Sequence, residues 1–525
     1  MLGYTFVLRY IKVNGNGGRL FSRWHPCSPP TFPQSHLWRS LAQTTVLQPV
    51  QNRPLVIALI SKKFVAKADS FTLKTGRSHC DRWTGSQRAT RKWQWGHGSS
   101  RPMDYPGTES ILCYCKGGFH PVHLGDIFHD RYLVINKLGY GAYGTVWLAE
   151  DLSLKRFAAL KVLSASASSS SELDVVLHLM NQQESNPLSE GAKYIVRFLD
   201  TFDVEGPNGT HHCIVTELLG PSLGCHEIED IHDDGPPSPA YTKRIVAQIA
   251  RGVAYLHKCG VVHGGTFISQ FSIVLPNITV FFSDLHTGNI LLCNPAMEQW
   301  SLQDFEYYYG KPHKLPPSPD SDSDILASSP IGLPQYLIPT PEPTPLLELC
   351  LSSSESVHVK ICDFSESFLT TTHTKTHLHI PTIYAAPEIL FPEPPTPIGP
   401  PTDMWALAVL MHMVLSYNST LFSSYDGIAK EVIREMVLAI GKLPSKWWNR
   451  WLERSEYFTE DGAFIGDKEL SSLASGEFLK VHSMSEEELE ALESLIRKMV
   501  CYEAKDRISA EEVVRLIPAQ WMNGL

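Results

Sequence analysis

The chain has 525 residues, 43% hydrophobic and 19% charged, so it is long enough for two or three domains and apolar enough to bury a core. This composition excludes a wholly disordered or collagen-like protein, and eleven irregularly spaced cysteines favour a reducing compartment over a disulfide framework. The net charge of −10 hides an asymmetry, because residues 1–102 carry 16 Lys and Arg against two acids and leave a net −24 for the rest.

The basic segment 1–102 shows no sustained helical or strand periodicity, which predicts a disordered or non-native extension. Two interpretations compete with that of a folded domain. The segment resembles an acid-poor mitochondrial presequence, or it is upstream sequence and Met103 is the start of the protein. A lead-in segment, 103–130, separates it from the first regular pattern.

Residues 131–220 predict a small lobe that contains an antiparallel sheet of five strands and one helix. The apolar residues alternate in the strands and follow helical spacing in the helix. The predicted strands are 132–138, 145–149, 157–163, 195–202 and 212–218, and the predicted helix is 172–181.

Residues 221–520 predict a larger and mainly helical lobe, which gives an α+β, two-lobed fold. Ser485 and Glu488 form a capping-box pattern at the start of one helix. The Pro/Ser-rich insert 293–357 includes a stretch, 312–356, that predicts a loop with little structure of its own. The predicted helices are 239–257, 404–415, 425–440, 485–500 and 509–517.

Three glycines, Gly139, Gly141 and Gly144, lie between the first two predicted strands. A Gly-rich hairpin can cover nucleotide phosphates, because a Cβ would block the close approach of the backbone. An ordinary hairpin explains this motif alone equally well.

Lys161 ends the third predicted strand, between apolar neighbours, where an ammonium group can neutralise the α- and β-phosphates of a nucleotide. A carboxylate must hold this lysine in place, and Glu172 on the following helix is the candidate. Asp174 is an alternative, although it lies on another face of the helix.

Asp284 and Asn289 stand five residues apart on a predicted loop, and Asp363 follows a short predicted strand. In phosphoryl transfer an Asp accepts the proton of the attacking hydroxyl, an Asn binds a metal ion, and a second Asp binds Mg²⁺ that bridges the phosphates. The sequence therefore predicts Asp284 as the base, and Asn289 and Asp363 as metal ligands.

With this order of motifs the chain resembles the eukaryotic protein kinase superfamily. Ala386-Pro387-Glu388, the segment beginning at Asp403, and Arg507 match further motifs. Within that superfamily the chain is similar to the SR-protein kinases of fungal type, on the segments 119–126, 138–149, 305–312, 441–444 and 457–462.

The resemblance implies a bilobal kinase fold that uses ATP and Mg²⁺. It implies that Glu217 and Leu219 offer backbone groups to adenine, and that His263 belongs to the catalytic loop. The implied nucleotide-binding residues are Leu138, Gly139, Gly141, Gly144, Val146, Ala159, Lys161, Glu217 and Leu219, and the implied catalytic residues are Lys161, Glu172, His263, Asp284 and Asn289.

By the same resemblance the chain transfers the γ-phosphate of ATP to serines of Arg/Ser-rich proteins, in pre-mRNA splicing and its regulation. The acidic body suits an Arg-rich substrate, which Asp426, Glu431 and Glu435 are candidates to bind, although each one alone fits a solvated helix face. We expect a monomer in the nucleus and cytoplasm, or in the mitochondrion if 1–102 is a presequence, without nucleic-acid or membrane binding.

The chain departs from the kinase pattern at three single positions. Gly264 replaces the Arg before the catalytic Asp, so a phosphorylated activation loop has no cation to bind there. Ser365 replaces the Gly of Asp-Phe-Gly, and because serine is small we expect this replacement to be tolerated. His286 replaces a Lys and is typical of aminoglycoside and choline kinase-like enzymes, which makes a small-molecule kinase the alternative function.

The apolar insert 265–283 separates His263-Gly264 from Asp284, which are adjacent in the family. Nineteen codons keep the reading frame, and these residues can be encoded with a splice donor, a branch site and a pyrimidine tract. We interpret the insert as a translated intron whose removal restores the catalytic loop. If it is retained, a pseudokinase scaffold for Arg/Ser-rich partners becomes the alternative.

Overall fold

A computed structural model describes residues 105–522, except for 170, 225–238, 265–286, 318–330, 352–356, 373–374, 376–377, 379, 393–397, 417–418, 423, 425–427 and 467–483. The basic segment 1–102, the insert 265–283 and the predicted residues Asp284, His286 and Asp426 lie outside the described residues. Nothing below concerns their structure.

The N-terminal lobe is built on an antiparallel sheet of six strands in the order β1-β2-β3-β4-β6-β5. Side chains alternate between its two faces, so Ala158, Leu160 and Val162 pack into the core above the sheet. Lys161 and Leu163 therefore point to the opposite face, toward the other lobe. The strands are β1 Ile127–Phe128, β2 Tyr132–Gly141, β3 Gly144–Asp151, β4 Arg156–Leu163, β5 Phe198–Gly206 and β6 Gly209–Thr216.

The five predicted strands are confirmed within a few residues at their ends. The two-residue β1 is too short for an alternating pattern to reveal it, and it pairs with the start of β2. Helix α1 (Glu172–Ser185) packs Val175, Val176 and Leu179 against the lobe that follows.

The C-terminal lobe is built around α6 (Pro400–Leu415), which is buried along nearly its whole length and carries apolar side chains on all sides. The described part of this lobe also contains two short sheets. One pairs β7 with β10, and the other pairs β8 with β9. The remaining elements are α2 Pro239–Lys258, β7 Val261–Val262, β8 Ile290–Cys293, α3 Leu302–Tyr309, α4 Thr344–Cys350, β9 His358–Ile361, β10 Phe368–Leu369, α5 Pro387–Leu390, α6 Pro400–Leu415, α7 Ala429–Ile440, α8 Ser445–Trp448, α9 Glu486–Met499 and α10 Ala510–Leu516.

The prediction of a loop over 312–356 is wrong in part. Helix α4 buries Leu346, Leu347 and Cys350 in the main core, and Leu315 pairs with Leu337. The high proline content concealed this helix, which has Pro343 at its N-cap and another proline in its first turn.

The insert also contacts the N-terminal lobe. The ring of Phe305 on α3 lies 4.4 Å from that of Phe157 on β4, and Leu337 packs with Phe119 of the lead-in segment. Among the described residues, no helix is both long enough and apolar enough to cross a bilayer.

Candidate active site

Lys161 lies at the centre of the candidate site and contacts two carboxylates. Its Nζ is 2.7 Å from Oε1 of Glu172 and 2.8 Å from Oδ1 of Asp363. Glu172 is in the first turn of α1, while Asp174 is exposed on another face of that helix. The structure thus brings together three predicted residues from a strand, a helix and the loop after β9.

The charges of this cluster are set by competing effects. Burial alone would lower the pKa of Lys161, but the two carboxylates outweigh it and raise the pKa. Burial opposes ionisation of Asp363, and Lys161 and Ser365 nevertheless hold the pKa of that carboxyl below its usual range. Burial raises the pKa of Glu172, and Lys161 opposes that shift. Lys161 is therefore a cation and Asp363 an anion at neutral pH.

Asn289 lies beside Asp363 because of the pairing of β8 with β9. Ile290 opposite Ile361 starts the ladder, so Asn289 and Cys362 are neighbours at the same end. The Cys362 N–H donates to the Asn289 carbonyl at 2.9 Å. Asn289 and Asp363, which are 74 positions apart in sequence, are therefore brought to the same end of this ladder.

The donor set fits Mg²⁺. Oδ2 of Asp363 accepts no hydrogen bond from any described residue, and it and the side-chain oxygen of Asn289 are the candidate Mg²⁺ ligands. The Nδ2 atom of Asn289 is buried without a hydrogen-bond partner, so it can donate to an acceptor such as a phosphate oxygen. The described residues contain no cluster of three or more His, Cys, Asp or Glu side chains suited to a metal. Two oxygen ligands suffice for Mg²⁺, which takes its other ligands from phosphates and water.

Glycine occurs at three positions of the hairpin between β2 and β3 for different structural reasons. A Cβ at Gly139 or Gly141 would meet no protein atom within 4 Å, so the chain itself does not require glycine there. A Cβ at Gly144 would lie 2.3 Å from the carbonyl oxygen of Val162. The open space over Gly139 and Gly141 is where a phosphate group would approach the backbone.

The residues predicted to contact adenine lie on β2, β3 and β4 and directly after β6. Val146 pairs with Lys161, and Ala159 pairs with Thr216, so both face the same side as the lysine. Leu138 and Leu219 pack against the main core.

The Glu217 N–H donates to the Arg197 carbonyl at 2.9 Å, so the backbone of Glu217 can offer only its carbonyl group to a ligand. That carbonyl already accepts from the Thr216 hydroxyl at 3.1 Å, and its second lone pair is the one available. The Glu217 carboxylate accepts from Lys360 at 2.6 Å, which fixes the side chain away from this role.

His263 and Gly264 are anchored from below by Asp403 at the start of α6. The N–H groups of His263 and Gly264 donate to the Asp403 carboxylate at 2.9 and 3.0 Å, and His257 contacts it at 2.9 Å. Although burial opposes ionisation, the hydrogen bond from His257 and the neighbouring imidazoles keep the pKa of Asp403 low. His263 is 1% exposed and packs on Phe364, so we assign it a positioning role and no contact with substrate.

The segment after Asp363 is tied to both lobes. The Ser367 hydroxyl donates to the His263 carbonyl at 2.7 Å, and the Ser171 hydroxyl before α1 donates to the Ser367 carbonyl at 2.9 Å. Lys375 donates to the Glu366 carbonyl at 2.7 Å. These contacts connect the described part of the segment to His263 and to Ser171.

Glu388 and Arg507 form a buried bidentate ion pair with both N–O distances at 2.7 Å. The pairing implied by the kinase resemblance is present. Sequence reasoning had not assigned the contacts of Ser365 with Asp363 and of Asp403 with His263. An acid in the first turn of an otherwise apolar helix was the available signal for Asp403.

Two of the three acids proposed to bind an Arg-rich substrate are described, and both have partners. Glu431 accepts from the Ser424 hydroxyl at 2.9 Å, and Glu435 is paired with Arg434 at 2.7 Å. Glu435 is thus already neutralised in part by its neighbour.

Comparison with known proteins agrees with this geometry. The family described as "Protein kinase domain" matches residues 132–264 and 349–517. The match stops at the residue before the insert 265–283, and the segment that holds Asp284 and Asn289 lies outside it.

Relatives of this chain include proteins that are named as SR-protein kinases, which confirms the predicted resemblance. The chain is 39% identical to human "SRSF protein kinase 3" over 182 residues, which are 34% of this chain and 28% of that protein. It is 36% identical to "Protein kinase dsk1" of Schizosaccharomyces pombe over 38% of this chain and 32% of that protein. It is 27% identical to "Serine/threonine-protein kinase SRPK" of Physarum polycephalum over 77% of this chain and 89% of that protein.

Proposed function

The chain belongs to the protein kinase family, and we propose that it transfers the γ-phosphate of ATP to serine residues of Arg/Ser-rich proteins. The observation that carries this proposal is the contact of Lys161 with both Glu172 and Asp363, next to Asn289. Positioning of phosphates and of charge accounts for most of the catalysis in phosphoryl transfer, and this cluster supplies both.

In the proposed reaction, Gly139 and Gly141 leave room for the triphosphate, and the ammonium of Lys161 neutralises its α- and β-phosphates. Asn289 and Asp363 would hold Mg²⁺, which when bound neutralises charge on the β- and γ-phosphates. Asp284 accepts the proton of the substrate serine as the hydroxyl oxygen bonds to the γ-phosphorus, and the bond from that phosphorus to ADP breaks.

The Arg/Ser-rich substrate is proposed from the names of the relatives and from the charge of the chain. Residues 103–525 carry a net charge of −24, which attracts an Arg-rich peptide over a longer range than any single contact. We place the protein in the nucleus and cytoplasm as a monomer, and a fluorescent fusion of the full chain tests this location against the mitochondrial alternative.

Radiolabelled ATP and an Arg/Ser peptide test the proposal. Three proteins are compared: the chain as written, the chain without 265–283, and that deletion with Asp284→Ala. We expect the deletion to label the peptide, and we expect the Ala variant to label it at least about 100-fold more slowly. Equal labelling by the last two proteins would remove Asp284 from its role, and no labelling by any of them would remove the proposed function.

A second candidate, a pseudokinase scaffold, is favoured by one observation. The insert 265–283 directly precedes Asp284, where catalysis needs placement to a fraction of an ångström. Retention of the insert in the mature message, together with peptide binding but no labelling by the chain as written, would support the scaffold. The other alternative, a small-molecule kinase, would not prefer an Arg-rich peptide as its substrate. An assay with an aminoglycoside in place of the peptide tests it.

A further inference from the structure

The carboxylate of Asp363 is held on one oxygen only. Its Oδ1 accepts from Lys161 at 2.8 Å, from the Ser365 hydroxyl at 2.9 Å and weakly from the Ser365 N–H at 3.4 Å. No described residue donates to Oδ2. The two strong donors approach the same oxygen, so the other oxygen is left for a ligand that is not part of the protein.

Ser365 makes this arrangement at a position where the kinase pattern has glycine. Asp363 has a φ of +55°, in the left-handed region, whereas Ser365 is not among the residues with positive φ. The backbone therefore does not need glycine at 365. The Ser365 side chain is buried, and Asp363 Oδ1 is the partner of its hydroxyl.

A carboxylate can rotate about the bond to its carboxyl carbon unless neighbouring groups hold its oxygens in place. Lys161 alone is a flexible point charge with rotatable donors and can follow either oxygen. The Ser365 hydroxyl is attached to a short side chain two residues away, so it specifies which oxygen faces the lysine. Fixing Oδ1 in this way also fixes the direction of Oδ2.

We propose that Ser365 is a positioning residue that orients the Asp363 carboxylate, so that Oδ2 faces a divalent cation bound with the nucleotide. This inference rests on the proposed nucleotide site and adds a residue that neither its motif nor the comparisons assign. The serine at 365 would then have a function of its own and would not merely be accepted in place of glycine. Because the hydroxyl is neutral, it organises the site without adding charge that would compete with the cation.

The test measures cation-dependent nucleotide binding, not turnover. A fluorescent ATP analogue is titrated against the full chain at increasing Mg²⁺ concentration and, separately, in EDTA. The variants are Ser365→Ala, Ser365→Gly and Ser365→Thr, which keeps the hydroxyl. Ser416→Ala is the matched control, because it removes another buried serine hydroxyl, which donates to the Ser419 carbonyl and does not contact Asp363.

We expect Ser365→Ala and Ser365→Gly to need about tenfold more Mg²⁺ for half-maximal binding, as the loss of one hydrogen bond to a charged group predicts. Ser365→Thr and Ser416→Ala should stay within about twofold of the parent chain, and binding in EDTA should not change. The inference is overturned if Ser365→Ala matches the parent chain, if it weakens binding equally in EDTA, or if Thr fails to rescue it. If Mg²⁺ and nucleotide bind normally but neither the parent chain nor the chain without 265–283 labels the peptide, the proposed function fails and this inference stands.

Discussion

Gly264 is constrained by its backbone conformation and by its surroundings. Its φ is +78°, and a Cβ built there would lie 2.9 Å from the carbonyl oxygen of Glu366. The arginine that the family pattern has before the catalytic Asp does not fit at this position without movement of the segment after Asp363. The local backbone conformation therefore accounts for glycine at this position. Lys375 and the serine contacts, and not an arginine, hold the segment after Asp363.

Gly264→Ala should lower the free energy of unfolding by about 1–3 kcal/mol, because it adds both backbone strain and a clash. Gly441→Ala is the control, since Gly441 also has a positive φ, +113°, but has no atom within 4 Å of the added Cβ. Chemical denaturation of both variants measures the difference. Equal losses in the two variants would show that the contact with Glu366 carries no penalty.

His412, which is buried on α6, predicts a loss of stability in mild acid. Burial lowers its pKa from 6.5 to about 4, although its hydrogen bond with the Ser419 carbonyl at 2.9 Å opposes the shift. The unfolded chain therefore takes up a proton near pH 6.5, and the folded chain does so only near pH 4. Stability from this residue is complete above pH 6.5 and is lost as the pH falls toward 4.

His412→Asn should remove this part of the pH dependence. The difference in unfolding free energy between the parent chain and the variant should shift in favour of the variant by up to about 3 kcal/mol between pH 7 and pH 4. Urea denaturation at a series of pH values measures it. Parallel pH profiles for the two proteins would contradict the assignment.

Residue patterns predicted the cluster around Lys161 because each part follows a local rule. Glu172 and Asp174 are two positions apart on a helix, so only one of them can face the lysine, and the structure selects Glu172. The contact between Ser365 and Asp363 depends on a carboxylate orientation that no spacing rule specifies, and sequence reasoning gave Ser365 only as a tolerated replacement. Asp284 lies outside the described residues, so its role stays a prediction.

At the scale of elements, α5 is joined to the segment before α10 by the pair of Glu388 and Arg507. Both side chains are almost completely buried, and Arg507 also donates to the carbonyls of Pro401, Cys501 and Tyr502. Thr402 of α6 donates to Glu388 at 3.1 Å. Helices α5 and α6 and the distant segment before α10 thus depend on one guanidinium group.

Arg507→Met should destabilise the chain by about 3–5 kcal/mol, because it leaves the Glu388 carboxylate buried without its cation. Glu388→Gln should have a smaller effect, since Arg507 keeps its three carbonyl partners. Lys311→Met, which removes an exposed partner of Glu306, is the control and should change stability by less than about 1 kcal/mol. Thermal or urea unfolding ranks the variants, and a larger loss for Glu388→Gln would contradict this explanation.

Element positions were predictable where capping and periodicity agree. Ser485 and Glu488 form the predicted capping box at the start of α9, and the apolar run over 404–415 lies within the buried α6. Helix α4 was missed because prolines dominated its neighbourhood, and its stability comes from burial of Leu346 and Leu347. Tertiary contacts of this kind are not visible in local sequence.

At the scale of the whole molecule, charge should govern the encounter with substrate. Residues 103–525 carry a net −24, and the proposed substrate is rich in arginine. Raising NaCl from 0.1 to 1 M shortens the screening length from about 10 to about 3 Å. The KM for an Arg/Ser peptide should therefore rise at least about tenfold with salt, and kcat should change by less than about twofold.

Initial rates at several peptide concentrations, with the insert 265–283 deleted, measure this dependence. A peptide with Gln in place of every Arg is the matched control, and its KM should not depend on salt. A KM for the Arg/Ser peptide that is the same at both salt concentrations would show that the acidic body does not recruit the substrate.

Asn289 and Asp363 together would hold the metal ion of a bound triphosphate. A crystal structure of the chain with a non-hydrolysable ATP analogue and Mn²⁺ tests it directly, because anomalous scattering locates the ion. We predict an anomalous peak coordinated by Asp363 Oδ2, the Asn289 side-chain oxygen and the phosphates, with Lys161 still on Oδ1. A triphosphate bound elsewhere, or an ion that contacts neither side chain, would contradict this account.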